Sequence, residues 1–240
     1  GNDRALALEL VAAYHRLGDV QGMPGGANLG RVPDAIRSYS KAQALLQELP
    51  LTDAQVLKLS ILNLRIAALH EREGRMDQAR QLRHRRLQLA RKLYAMGREQ
   101  NDAWYGLIYA LQSAAVADAD AGFAREALPN LQEALRLAEE WDRRQSTVRT
   151  QSVLGQVYSD LARLMRGLGD PGQAVAYGEK VLAIRQKTVR SRPNHEPYWR
   201  QAFSVHWFLG MDLAHPILLS LGDVPRAAYH CGEALRWARK

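Results

Sequence analysis

The sequence of 240 residues predicts an all-α solenoid of five long helical hairpins. Three observations predict this fold. The composition is rich in Ala, Leu, Arg, Gln and Glu, with few runs of Val, Ile and Thr, which favours helix over strand. A glycine ends a helical pattern at five places, and a small alanine follows each of them at a related position. With 47% hydrophobic residues, the chain also has ample material for a core.

The recurring glycines mark where we expect the first helix of each hairpin to end. Glycine adopts a left-handed backbone conformation without strain, so it suits the position just after a helix. Segments such as "LVAAYHRLGD" (10–19) and "LARLMRGLGDPGQA" (161–174) show a helical pattern before the glycine. The five glycines are Gly18, Gly74, Gly122, Gly169 and Gly222.

Small residues recur where the second helix of each hairpin would contact the first. In the last four copies an alanine follows the glycine by five residues: Ala79, Ala127, Ala174 and Ala227. In the first copy Ala35 takes this position once an insertion within residues 19–32 is left out of the count. A second small or apolar position lies seven residues further on, where copy two has Arg86 instead. One hairpin cannot bury its apolar face alone, so we expect neighbouring hairpins to stack into one array.

Helix-start signals place the boundaries of a single domain of five hairpins. Thr52 and Gln55 form a capping-box pattern, and Asp170 is an N-cap candidate ahead of Pro171. The segment "RPNHEP" (192–197) breaks the chain, and Gln201 to Gly222 reads as a buried helix. The hairpins are expected at about residues 4–48, 52–97, 101–143, 146–191 and 197–240.

The residues of these copies resemble the tetratricopeptide (TPR) repeat. Copy one matches through Tyr14, Leu17, Gly18, Ala35, Tyr39 and Ala42, and copy four through Ala162, Leu168, Gly169, Ala174 and Val181. The anchor glycines lie 47 to 56 residues apart, against about 34 in the standard repeat. The resemblance implies a right-handed TPR-like solenoid with unusually long helices, which binds a protein or peptide without catalysis or a cofactor.

In TPR proteins the first helix of each hairpin lines a concave groove. The resemblance, counted back from each anchor glycine, implies a set of polar groove residues that offer hydrogen bonds to a carboxylate or phosphorylated segment. A merely solvated polar face is the alternative. The candidates are Arg65, Gln112, Gln156, Ser159, Arg163 and Arg166.

The glycine-rich stretch "GDVQGMPGGANLG" (18–30) raises the question of a phosphate-binding loop. Gly25 and Gly30 have the separation of such a loop, but Arg31 and Val32 replace its Lys and Ser/Thr. We therefore predict a turn insertion over residues 19–32, in which Asn28 bonds its neighbouring backbone or accepts a positive φ.

The string "LGDVQGMPGGANLGRVPDAIRSYSKA" (17–42) is similar to a segment in the repeat regions of bacterial serine/threonine kinases of the eukaryotic type. That resemblance implies a regulatory or docking module of a larger signalling protein. The chain itself has no HRD, DFG or VAIK-like motif.

The net charge of +8 allows an acidic partner, nucleic acid included. Residues 80–92, "RQLRHRRLQLARK", carry six basic side chains and no acid. On a helix these positions spread around the cylinder, which favours a solvated outer face over a nucleic-acid groove. Nucleic-acid binding through this surface remains one alternative function. The other is a small-molecule sensor with a ligand among Trp104, Tyr109 and Trp207.

No pattern in the sequence indicates an enzyme or a metal site. The seven histidines make neither HxxxH nor HExxH, and no nucleophile, base and orienting group occur together. The single cysteine, Cys231, is expected to be a small buried residue on the inward face of the last helix. The uncharged run from Ala103 to Ala117 is shorter than a membrane span. Aromatic residues are expected mainly in the core between hairpins, with a peptide-binding groove as the alternative.

Overall fold

A computed structural model describes residues 2–49, 52–97, 100–191, 196–215 and 217–239, and these contain ten α-helices and no β-strand. The helices of the first half are α1 (Asn2–Gly22), α2 (Val32–Gln47), α3 (Asp53–Arg72), α4 (Met76–Met96) and α5 (Asn101–Asp120). Those of the second half are α6 (Ala124–Gln145), α7 (Val148–Gly167), α8 (Pro171–Ser191), α9 (Glu196–Leu213) and α10 (Val224–Ala238).

The helices form two compact units, α1–α5 and α6–α10. Within each unit every helix packs against the next one along the chain. The core of the first unit includes Tyr39, Leu46, Leu62 and Leu69, all fully buried. In the second unit Leu209 and Leu213 of α9 form a core cluster with residues of α8 and α10.

Four of the five predicted glycines have a left-handed backbone, but only Gly74, Gly122 and Gly169 directly follow the end of a helix; Gly222 lies nine residues after α9, just before α10, so the prediction that it ends the first helix was wrong. The φ angles are +71° at Gly74, +89° at Gly122, +82° at Gly169 and +73° at Gly222. At Gly74 the following Arg75 N–H donates to the carbonyl of His70, and at Gly169 Asp170 N–H donates to Met165. These hydrogen bonds span five residues, as in a Schellman motif, and they satisfy carbonyls that the helix end leaves free.

Gly18 differs, because it does not end its helix: α1 continues to Gly22. A Cβ atom at Gly18 would lie only 2.5 to 2.9 Å from ring atoms of Tyr39 in α2. Only glycine fits here, because the Tyr39 ring packs directly against the backbone of α1. The Tyr39 hydroxyl also donates a hydrogen bond to Asp19 Oδ1 at 2.6 Å. The prediction that Gly18 terminates the helix was therefore wrong.

The predicted small positions all lie in the interior. Ala35, Ala79, Ala127, Ala174 and Ala227 are between 0% and 6% exposed. Their spacing places them on the face of the second helix that packs inward, where a larger side chain would separate the helices.

Two of the predicted helix starts are confirmed. The capping box of Thr52 and Gln55 is present at the start of α3. At the start of α8 the Asp170 carboxylate accepts a hydrogen bond from Gln173 N–H at 2.9 Å. In the segment 192–197, residues 192–195 lie outside the described ranges, and α9 begins at Glu196.

The glycine-rich segment is a self-contained turn, shorter than predicted because α1 extends to Gly22. The Asn28 amide donates to the carbonyls of Met23 and Gly26, and its oxygen accepts from Gly30 N–H at 2.8 Å. Gly25 and Gly30 supply the positive φ angles. Asn28 therefore bonds its own backbone neighbours, as expected of an asparagine in a turn.

The helix predicted from Gln201 to Gly222 is also shorter, since α9 ends at Leu213. After it, the His215 ring nitrogen Nδ1 accepts hydrogen bonds from the N–H groups of Ile217 and Leu218. These hydrogen bonds to the His215 side chain satisfy two backbone N–H groups without a helix, so the helix does not need to continue. The apolar side chains after it are solvent-exposed, with Ile217 at 87% and Leu219 at 66%. They are not part of a buried helix.

Candidate functional site

The second unit contains a cavity of about 450 Å³ between α7, α8 and α9. The α7 residues in its wall recur every three or four positions, so they form one helical face. They are Gln156, Ser159, Asp160, Ala162, Arg163 and Arg166. From α8 come Gly178, Val181 and Arg185, and from α9 come Arg200, Gln201, Ser204, Val205, Phe208, Leu209 and Asp212.

The base of the cavity is apolar. Val181 and Leu209 are almost fully buried, whereas Phe208 is 47% exposed and presents its ring to the opening. A Cβ atom on Gly178 would lie 2.7 Å from Leu209 Cδ2, so glycine at this position allows α8 and α9 to approach closely. An apolar side chain entering the cavity would therefore contact hydrophobic surface.

A bidentate ion pair joins the two principal walls. Arg166 on α7 donates from Nε and Nη2 to the two carboxylate oxygens of Asp212 on α9, at 2.5 and 2.7 Å. Asp212 is 3% exposed, and the Arg166 guanidinium also lies over the Phe208 ring, 4.9 Å from its centroid. This geometry fixes three lining residues relative to one another, because a guanidinium and a carboxylate match only in one plane.

The cavity wall carries more positive than negative charge. Four arginines and two aspartates line it, and one aspartate is already paired with Arg166. Arg185 is buried and packs against Gly155 of α7. A Cβ atom added to that glycine would lie 3.5 Å from the guanidinium carbon of Arg185. Arg163 lies 3.9 Å from Asp160 and has 48% of its side chain exposed. The site therefore combines an apolar base with a cationic wall.

Four of the six predicted groove residues line this cavity: Gln156, Ser159, Arg163 and Arg166. The other two belong to the first unit. Arg65 is partly exposed and lies 3.9 Å from Asp19. Gln112 is only 5% exposed, so its side chain does not present a polar surface to a partner.

Sequence reasoning missed the contributions of Arg185, Arg200 and Asp212, and it included Phe208 only among the aromatic residues expected mainly in the core, with a peptide-binding groove as the alternative. The predicted set comes from the first helices of copies two, three and four alone, so it includes no residue of α8 or α9. One signal was present. Asp212 stands in an otherwise apolar segment, four residues after Phe208, and a buried carboxylate there requires a cationic partner.

The aromatic residues divide between core and surface. Trp104 is buried against the edge of Tyr94, as expected of a core residue. Tyr105 and Tyr109 are about two-fifths exposed, and their rings stack with centroids 5.9 Å apart. Trp207, in the second unit, is 47% exposed.

The basic segment of α4 is less solvated than predicted. Arg83 is 8% exposed and binds both carboxylate oxygens of Glu71, at 3.0 and 2.8 Å. Arg80 donates to Asp118 at 2.6 Å. Arg86 is 7% exposed and lies over the Tyr109 ring, 4.7 Å from its centroid. These three arginines have partners inside the first unit, so the solvated face expected of the segment is limited to Arg85, Arg91 and Lys92, which are exposed.

Two histidines and the single cysteine lie on α9 and α10 of the second unit. His206 and His230 are both buried, and their Nδ1 atoms lie 2.9 Å apart. Burial lowers the pKa of both imidazoles below the ordinary value of 6.5, and at His206 the neighbouring His230 lowers it further. Cys231 is exposed, not buried as predicted, although its Sγ atom lies 2.8 Å from the position that a Cβ atom on Gly210 of α9 would take.

The described residues form neither a metal-binding cluster nor a membrane-spanning helix. No cluster of three or more His, Cys, Asp or Glu side chains suited to a metal ion occurs among them. None of the helices they form combines the length and hydropathy of a transmembrane span.

The fold is similar to that of several solved helical-repeat proteins. BtubC (BKLC) from P. vanneervenii aligns with a TM-score of 0.65 and 20% identity, over 98% of this chain and 89% of that one. A putative kinesin light chain from P. anserina, described as having nearly identical TPR-like repeats, aligns with a TM-score of 0.63 and 15% identity, over 98% and 96%. The chain has a TPR-like repeat fold.

A third TPR-like neighbour is longer than this chain. A Rap protein, solved in complex with competence and sporulation factor, aligns with a TM-score of 0.56 and 15% identity. The alignment covers 97% of this chain but only 56% of the Rap chain. No protein-family model matches the sequence, and no curated protein is significantly similar to it.

The TPR-like fold explains how the cavity is assembled. In a repeat of helical hairpins, α7 and α9 are the first helices of two consecutive copies. Their corresponding faces therefore meet, although Arg166 and Asp212 are 46 residues apart in sequence. The cavity lies on the side of the second unit that these first helices form.

Proposed function

We propose that this chain is a non-catalytic protein-binding module that holds a segment of its partner in the cavity between α7, α8 and α9. One observation carries the proposal: an apolar base and a cationic wall occur together in a cavity of about 450 Å³. That volume falls within the range of about 300–1,000 Å³ typical of ligand sites. It accommodates one large side chain of a bound segment together with its flanking backbone.

The chemistry of the wall selects the kind of segment. Val205, Phe208 and Leu209 offer contact to an apolar side chain of the partner. Arg163 and Arg200 flank the opening, and the wall has two more arginines than aspartates. An acidic side chain next to the apolar one would form charge-assisted hydrogen bonds with this wall. We therefore propose a partner segment in which Leu or an aromatic residue stands beside Asp or Glu.

Fold similarity supports a binding role. The Rap neighbour was solved in complex with competence and sporulation factor, and another neighbour is a putative kinesin light chain. We propose that this chain likewise acts as a scaffold, as a right-handed array of five hairpins. The resemblance of residues 17–42 to the repeat regions of bacterial serine/threonine kinases supports a docking or regulatory role in a larger signalling protein.

The proposal is tested with labelled peptides in which Leu or Phe stands beside Asp or Glu, each compared with its Asn or Gln counterpart. We expect saturable binding of the acidic peptides, measured by fluorescence anisotropy. Phe208→Ala and Arg163→Ala should each weaken it at least about tenfold, because each removes a direct contact from an exposed position. The matched control is Arg85→Ala, on the exposed surface of α4.

Two results would count against the proposal. If the acidic and neutral peptides bind equally, the cationic wall does not select the partner. If Phe208→Ala binds as well as the unaltered chain, the partner occupies another surface. Circular dichroism and thermal melts confirm that the variants keep their helices.

A further inference from the structure

A continuous apolar stripe runs along the outer face of α1, in the first unit. Its large members are Leu6 (57% exposed), Leu10 (40%), Leu17 (46%) and Val20 (57%), and the exposed Ala13 lies between them. Along the chain these five residues are separated by four, three, four and three positions. This is the 3.5-residue period of a coiled-coil seam.

The stripe plays no part in the core of its own unit. The buried residues of α1 are Val11, Gly18 and Gly22, which pack inward, the glycines against Tyr39 and Ala35 of α2. At 100° per residue these positions lie on the opposite side of the helix from the stripe. The fold of the unit therefore leaves the stripe uncovered over about 21 Å of helix. Exposed apolar surface of this extent and regularity marks an interaction site.

We infer that the stripe is a homodimer interface, in which α1 packs antiparallel against α1 of a second copy of this chain. A seam of period 3.5 on one straight helix is complementary to the same seam on another. A two-fold axis makes such an interface self-complementary and closed, so only two copies associate.

The charges beside the stripe select the antiparallel direction. Glu9 and Arg16 are both exposed and lie seven residues apart along the same flank. In the antiparallel arrangement equivalent flanks face each other, so Glu9 meets the partner's Arg16 and Arg16 meets the partner's Glu9. In the same register Leu6 lies opposite the partner's Leu17, and Leu10 opposite the partner's Ala13. A parallel pair would instead place the Glu9 flank beside the partner's Tyr14, where no opposite charge is present.

The first test measures mass against concentration by sedimentation equilibrium and light scattering. We expect the unaltered chain to form a dimer that dissociates on dilution. Leu10→Glu should raise the dimer dissociation constant at least about tenfold, because it places a carboxylate opposite the partner's apolar surface. Leu57→Glu, at an exposed leucine of α3 outside the stripe, is the matched control and should leave the dimer intact.

The second test exchanges the flanking charges. Glu9→Arg alone and Arg16→Glu alone should each weaken the dimer, because each puts like charges opposite each other. The double variant Glu9→Arg/Arg16→Glu restores both opposite-charge pairs and should restore the dissociation constant to within about twofold.

A chain that stays monomeric at every concentration would overturn the inference, and so would a dimer that survives Leu10→Glu. Single and double charge variants of equal affinity would overturn the antiparallel register. None of these results bears on peptide binding by the second unit, which the anisotropy experiment measures separately.

Discussion

The Nδ1 atoms of His206 on α9 and His230 on α10 lie 2.9 Å apart, and both rings are buried. At this distance one Nδ1 donates its proton and the other, which is unprotonated, accepts it, so the accepting imidazole is neutral. The pair is a local contact between the last two helices. Protonation of both rings would replace the hydrogen bond with a repulsion between two buried charges.

We predict that the second unit loses stability as the pH falls through the range just below about 6.5. The pKa of each histidine is lower in the folded chain than in the unfolded chain. At a pH between these two pKa values, the unfolded chain therefore binds more protons than the folded chain. The contribution to stability is therefore complete above about pH 6.5 and decreases as the pH falls toward the folded pKa values.

Urea unfolding at about pH 7.5 and about pH 5.5 measures this effect. Arg226, Glu179, Glu233 and Arg236 surround the pair and set its electrostatic environment. His230→Gln removes one titrating ring, so the difference between the two pH values should become smaller. An unchanged difference would show that other groups cause the acid sensitivity.

A second prediction concerns the Arg166–Asp212 ion pair of the candidate site. Asp212→Asn leaves the Arg166 guanidinium without its carboxylate partner, and we expect a loss of about 2 kcal/mol of unfolding free energy. The cost is below that of a fully buried pair because a quarter of the Arg166 side chain is exposed. Chemical denaturation measures it, with Arg163→Gln as a control that should change the stability by less than about 0.5 kcal/mol. Equal losses in the two variants would contradict the structural role assigned to Asp212.

The third prediction compares two glycines inside helices. Gly18→Ala should destabilise the chain by about 1–3 kcal/mol, because the new methyl group would overlap the Tyr39 ring. Gly106→Ala in α5 should stabilise it by about 0.5–1 kcal/mol, because no atom lies within 4 Å of the Cβ position and alanine favours helix. Thermal melts of both variants test this difference in sign. Two shifts of the same sign would refute the contact argument at Gly18.

The fourth prediction separates two buried arginines of α4 that have the same exposure but different surroundings. Arg83 has Glu71 and Ser113 as partners. The Nε and Nη1 atoms of Arg86 are buried and find no acceptor among the described residues, and burial lowers the pKa of Arg86 to about 10. Arg83→Met should therefore cost about 2–3 kcal/mol, because it leaves Glu71 unpaired.

Arg86→Met, in contrast, should be neutral or stabilise the chain by up to about 2 kcal/mol, because it replaces a poorly satisfied buried cation with an apolar side chain of similar length. The loss of the guanidinium–Tyr109 contact reduces the gain by about 1 kcal/mol. Urea titrations of the two variants under the same conditions measure the contrast. A loss at Arg86 as large as that at Arg83 would show that the Tyr109 contact outweighs the cost of burying the charge.

The sequence predicts those features of the fold that depend on a few neighbouring residues. Gly74, Gly122 and Gly169 follow helix ends because their left-handed backbone is a local requirement, and the caps at Thr52 and Asp170 follow from local hydrogen bonds. Gly18 was misread because its requirement comes from Tyr39 on another helix. The spacing of glycines shows where a glycine is needed. It does not show whether the reason is a left-handed turn or a close contact with another helix.

In the candidate site, too, the sequence predicts what depends on neighbouring residues and not what depends on packing between helices. The faces of α7 follow from helical periodicity, so Gln156, Ser159, Arg163 and Arg166 were found from the sequence. Pairing of Arg166 with Asp212 depends on how α9 packs against the preceding hairpin, which a single sequence does not specify. The buried Arg86 similarly owes its position to α5, where Tyr109 accepts the guanidinium.

The turn after α1 is closed by its own backbone as well as by Asn28. Leu29 N–H donates to the Val20 carbonyl and Arg31 N–H to the Gln21 carbonyl, so both ends of the turn are fixed to the last residues of the helix. The tip around Gly25 and Ala27 is exposed. A fluorophore or an affinity tag inserted at Ala27 would therefore extend into solvent without lengthening the path between α1 and α2. The turn is a natural attachment point for labelling the first unit while its helices stay in register.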